Sequence, residues 1–149
     1  MIYTVGEVAK KLGIAPSALR YYDKEGLLPF LKRSSGGIRV FTEQDFSGLA
    51  IIHCLKQTGM PIKDIKRFMD MVQEGDGTIE ERLELFQKQR ENVKKQMEEL
   101  NKALDVLDYK CWYYECAREK GNTSSVDEMG KAEMPEKYAA IKERMRSLV

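Results

Sequence analysis

The sequence predicts a mostly α-helical protein: a helix-turn-helix, a basic hairpin, a long heptad-patterned helix and a short C-terminal helix. Three observations predict it. A capping box, a glycine break and a proline start place two short helices near the N-terminus. Two β-prone runs then flank a Ser/Gly turn carrying Lys32, Arg33 and Arg39. Finally, apolar residues alternate at steps of four and three from Ile79 to Cys111.

Thr4 followed by Glu7 reads as the capping box of the first helix, with Val5, Val8, Ala9 and Leu12 as its apolar stripe. Gly13 ends it. Pro16 suits the first position of a second helix, expected to run to about Lys24. Helix, tight glycine turn and helix in so short a span is helix-turn-helix spacing. On the second helix Ala18, Leu19 and Tyr22 can pack inward. Ser17, Arg20, Tyr21 and Lys24 fall on another stripe at steps of three and four. A hydroxyl, a guanidinium, a phenol and an ammonium together suit phosphates and base edges.

The run from Phe30 to Phe41 reads as a hairpin with Lys32, Arg33 and Arg39 at its tip and flanks. Behind a helix-turn-helix such a hairpin is a wing. Thr42 with Asp45 opens a third helix ending at Gly59. Pro61 opens a fourth, with Ile62, Ile65, Met69 and Val72 on one face and Lys63, Lys66 and Arg67 on others. The segment Glu74-Gly75-Asp76-Gly77 is a helix break, and Gly121-Asn122-Thr123-Ser124-Ser125 a second. The expected units are therefore 1–73, 78–120 and 121–149.

Thr78 and Glu81 read as a capping box for the long helix. Its seam is Ile79, Leu83, Phe86, Arg90, Val93, Met97, Leu100, Leu104, Leu107 and Cys111, about 50 Å at about 1.5 Å per residue. A single helix cannot bury such a seam. A second copy can, which predicts a two-fold homodimer through Leu83, Phe86, Val93, Met97, Leu100, Leu104 and Leu107. Arg90, the polar exception, suits register setting. In the tail, Tyr138, Ile141, Met145 and Leu148 mark a short amphipathic helix placed to cap the coil.

The net charge of +1 hides an asymmetry. Residues 1–70 hold 11 Lys/Arg against 7 Asp/Glu, and residues 71–149 hold 14 against 17. A basic front end favours an anionic partner such as nucleic acid. No apolar run is long enough for a membrane span, and no signal peptide opens the chain, so a cytoplasmic protein is expected. Three irregularly spaced cysteines make no disulfide framework. No Gly-rich cofactor loop or CxxC appears and the one His adjoins Cys54, so neither an enzyme nor a cofactor is expected. A thiol enzyme built on Cys54, or a coiled-coil scaffold with a basic head, is the rival class.

Once these elements are in order, the strings YTVGEVAKKLGIAPSALRYYDKEGLL and SSGGIRVFTEQDF resemble the opening, wing and third-helix entry of the MerR family of transcription regulators. The resemblance covers about the first 70 residues, and LRYYDKEGLL is its most specific part. It implies a winged helix-turn-helix joined to an antiparallel dimerising helix. Carried over by position, it places Ser17, Arg20, Tyr21 and Tyr22 on DNA, with Arg39 from the wing and Lys63 from the fourth helix. It also implies a mechanism. The dimer sits on a pseudo-palindrome in double-stranded promoter DNA and, when activated, bends and untwists it, so that RNA polymerase is reached only through the promoter. Two departures stand out: Ala15, where the family often has Ser or Thr, and Ile38, where an aromatic is common.

The stretch from Phe41 to Phe86, with Cys54 and EGDGTIEERLELF, and the later LDYKCWYYE, resembles a narrower branch that responds to aldehydes and other thiol-reactive electrophiles. That makes Cys54 a candidate sensing thiolate; the alternative is a small buried hydrophobe. Metal sensing through Cys111 and Cys116 is the other effector reading, although five residues place them about 140° apart on one helix. No metal site is expected. Trp112, Tyr113 and Tyr114 suit either stacking on a flat ligand or packing the end of a helical dimer.

Overall fold

The computed structural model describes residues 1–148. Strand β1 is Ile2–Tyr3, followed by helices α1, Val5–Leu12, and α2, Pro16–Lys24. The Thr4–Glu7 box forms: the Glu7 carboxylate accepts from the Thr4 amide at 2.7 Å, and the Glu7 amide donates to the Thr4 hydroxyl at 3.4 Å. Hydrogen bonds donated to the carboxylate by the Thr4 amide and then by the Thr4 hydroxyl lower the Glu7 pKa. Gly13 closes α1 at φ 65°, a left-handed conformation that costs glycine little. Ala15 precedes α2 with no side-chain cap, as its methyl group dictates.

The hairpin forms as β2, Lys32–Arg33, and β3, Arg39–Thr42. Strand β1 was not anticipated. It pairs antiparallel with β3, Ile2 opposite Thr42 and Tyr3 opposite Phe41, so the sheet order is β1-β3-β2. Helix α3, Glu43–Gln57, opens with Asp45 accepting from the Thr42 amide at 2.7 Å. Helix α4, Ile62–Glu74, is followed by a 3-10 turn at Asp76–Thr78. Helix α5 is continuous from Ile79 to Lys120, and α6, Ser124–Asp127, and α7, Glu136–Arg146, complete the chain. Among the described residues no helix is long and apolar enough to cross a membrane.

The chain divides into two compact units, Met1–Val93 and Lys94–Val149. The first has one core, in which Val8, Leu19, Tyr22, Leu27, Phe41, Leu49, Ile52 and Ile65 are fully enclosed. Leu85 joins this core, and Phe86 packs against it from the first turns of α5. Phe86 meets Phe68 edge-on, with ring centroids 4.9 Å apart. One correction falls on α4: Val72 is exposed and Met71 is buried, near the turn whose Thr78 hydroxyl bonds the Met71 carbonyl. A second correction concerns Thr78. Its hydroxyl lies 2.8 Å from the carbonyl oxygens of both Met71 and Gly75, so it ties the turn to α4 and does not form the expected box. Glu81 instead pairs with Arg67 at 3.2 Å.

The second unit is held by Tyr109, Met134 and Ile141, with Trp112, Tyr113, Tyr138 and Met145 packed around them. Trp112 stacks on Tyr138 at 5.3 Å. The tail helix thus packs on α5 of its own chain. Leu148 does not share in this: it lies past the end of α7 and is largely exposed.

Candidate nucleic-acid interface

Helix α2 sorts its side chains by face. Leu19 and Tyr22 enter the core, whereas Ser17, Arg20, Tyr21 and Lys24 are exposed. The expectation that Tyr22 reaches DNA is corrected: its ring is 1% exposed, so it packs beneath the helix. Burial also raises its pKa. Arg20, Lys24, Lys32 and Lys63 are exposed and form no ion pair among the described residues. Lys66 and Arg67 are spoken for, by Asp70 at 2.7 Å and by Glu81.

Two members of this surface escaped sequence reasoning. The Lys56 ammonium, on α3, lies 5.4 Å from the Tyr21 ring centroid and adds a cation beside α2. Asp23 accepts hydrogen bonds from two wing arginines, Arg33 at 2.7 Å and Arg39 at 2.6 Å. Neither contact has a local sequence signal, because the partners are 10 to 35 residues apart. A face with several unpaired cations, hydroxyl donors and a flanking hairpin can bind a polyanion along its length.

Cys54 is exposed on α3 in the single chain. Its neighbour His53 is half-buried and engages Gln57 through Nε2 at 3.2 Å. Its Nδ1 is buried without a hydrogen-bond partner. Cys111 is exposed and Cys116 half-buried. No group of three or more His, Cys, Asp or Glu able to hold a metal occurs among the described residues.

The heptad positions on α5 are open along one chain. Leu83, Met97, Leu100, Leu104 and Leu107 are all exposed, Leu100 most of all at 69%. Phe86 and Val93 are half-buried. Trp112 and Tyr113 pack inside the second unit, and Tyr114 stays exposed against Tyr113. In the same unit a cavity of about 530 Å³ is lined by Met129, Met134, Lys142 and Arg146, among others.

Residues 3–72 match the family described as MerR HTH family regulatory protein, and residues 47–109 match that described as MerR, DNA binding. An uncharacterized HTH-type transcriptional regulator of Haemophilus influenzae is 49% identical over 127 residues, covering 85% of this chain and 94% of that protein. This chain belongs to the MerR family. It is therefore a DNA-binding transcription regulator and not an enzyme. A solved MerR structure described as HiNmlR, a MerR family regulator lacking the sensor domain, bound to promoter DNA, superposes with a TM-score of 0.68 at 49% identity. The match covers 84% of this chain and 99% of that one. The HTH-type transcriptional regulator AdhR of Bacillus subtilis is 33% identical over 60% of this chain and 64% of its own length. The MerR matches together span residues 3–109, from β1 into α5, and so include every residue of the candidate interface.

Proposed function

We propose that this MerR protein binds double-stranded promoter DNA as a homodimer and controls transcription by distorting that DNA in response to an effector. Ser17, Arg20, Tyr21 and Lys24 of α2 contact the groove and its phosphates. Lys32, Arg33 and Arg39 of the wing, with Lys63 of α4, hold the flanking backbone. The observation that carries this reading is the exposed, unpaired cationic stripe of α2 beside the wing. A 49% identical relative bound to promoter DNA supports it. Residues 1–73 form the DNA head, 78–120 the dimerisation helix and 121–149 the tail. The exposed leucines of α5 supply the dimer seam, and a second copy is the partner that matches their spacing. RNA polymerase is engaged through the reshaped promoter, in the bacterial cytoplasm, with no cofactor.

Cys54 is the proposed sensor of a thiol-reactive aldehyde or related electrophile. Its exposure supports this, because alkylation requires access. The experiment that tests the DNA reading is a binding titration against duplexes selected from a randomised pool, repeated over a range of salt. A steep salt dependence and a loss of selectivity in Arg20→Ala are expected. Salt-independent binding, or an Arg20→Ala protein with unchanged selectivity, would sink it.

A further inference from the structure

We propose that Asp23 is a positioning residue that latches the wing to the recognition helix and withholds wing charge from unselected DNA. The proposal rests on the DNA-interface reading above. Three observations carry it. Arg33 and Arg39 are register partners on β2 and β3, so two like charges face each other across the hairpin, an unfavourable pair when left alone. One oxygen, Asp23 Oδ2, accepts from Arg33 Nη2 and from Arg39 Nε, and Asp23 is only 15% exposed. β3 is anchored by its pairing with β1 and by buried Phe41, but the outer strand and tip of the hairpin have no such anchor in the core. β2 is two residues long and fully exposed, and the tip residue Ile38 is 67% exposed.

The carboxylate therefore joins both strands of the wing to the last turn of α2. It fixes the spacing between the wing and Arg20 and Tyr21 on the same helix. It also leaves the cluster of three charges with one net positive charge, so an arbitrary phosphate backbone gains less from it. Selective DNA is that whose phosphates meet the latched wing while the α2 stripe meets base edges.

Asp23→Asn keeps the size and one acceptor oxygen but removes the charge. On random-sequence duplex it is expected to bind more tightly, with a salt slope steeper by about one. The ratio of affinity for a duplex selected by the native protein over random duplex should fall about tenfold. Amide exchange at Ser34 and Ile38, which lie in the hairpin, should quicken while Val8 and Leu19 stay protected. An unchanged slope and ratio overturn the proposal, as does unchanged hairpin exchange. Should Asp23→Asn lose core protection, Asp23→Ser, which also removes the charge, carries the same readouts, with an intact ratio overturning the latch and a lowered one supporting it. A native protein that binds no duplex overturns the DNA reading alone, and hairpin exchange then still decides whether the latch exists.

Discussion

Gln89 of α5 donates its side-chain amide to the carbonyl oxygen of Thr58 at 2.9 Å, joining the start of the long helix to the C-cap of α3. The Thr58 amide in turn donates to the Cys54 carbonyl at 3.2 Å. The end of the helix that carries Cys54 is thus tied to α5 by a nearly buried amide. Gln89→Ala should destabilise the first unit by about 1 kcal/mol, the usual size of one lost hydrogen bond. Urea unfolding measures it, and an unchanged midpoint would show that water replaces the amide without loss.

Leu104→Glu should convert the proposed homodimer to monomer, because it places a carboxylate in the exposed seam. Sedimentation would read the change directly. Helicity of the first unit should persist, since its core does not include Leu104. DNA affinity should fall steeply, because a monomer engages one half-site only. A Leu104→Glu protein that remains dimeric would place the interface elsewhere.

Cys54→Ser should leave DNA binding intact and abolish the proposed transcriptional response to aldehydes. In a Cys111→Ser, Cys116→Ser background, Cys54 should be alkylated in the folded protein without denaturant, because it is exposed. A full aldehyde response in Cys54→Ser would move sensing to another group, with the tail cavity near Met134 and Arg146 the next place to look.

Burial raises the Tyr22 pKa, and burial followed by the nearby Asp127 charge raises that of Tyr109. A folded-state pKa above the unfolded value gives stability that is complete below the ordinary tyrosine range. That stability is lost as pH rises through the raised value. The two units should therefore lose structure in strong alkali. Tyr22→Phe should shift the alkaline transition of the first unit upward, followed by circular dichroism. Trp112 fluorescence should report the Tyr109 transition separately. No shift in Tyr22→Phe would assign alkaline unfolding to other groups.

Much of the fold was legible because local chemistry specifies it. The Thr4–Glu7 box, Gly13, Pro16 and the Thr42–Asp45 pair each act within a few residues. What escaped depends on distant partners. β1 is two residues long and exists only by pairing with β3. Met71 is buried in a core that Leu85 and Phe86 of α5 join from later in the chain. The α2 stripe was readable from helical spacing, but Tyr22 was placed both inward and on DNA until its burial decided for the core. Asp23 and Lys56 look like ordinary surface charges in sequence, since their roles come from contacts with Arg33, Arg39 and Tyr21.

The pairing of β1 with β3 also orders events during synthesis. Ile2 and Tyr3 are synthesised some 40 residues before their strand partners Thr42 and Phe41. The first unit's core is completed only by Leu85. α1 and α2 therefore emerge as amphipathic segments with open apolar faces and must wait for later chain to cover them. Slowing translation before α5 should lengthen that exposed interval, making the nascent head most vulnerable to proteolysis and chaperone capture just before the long helix appears.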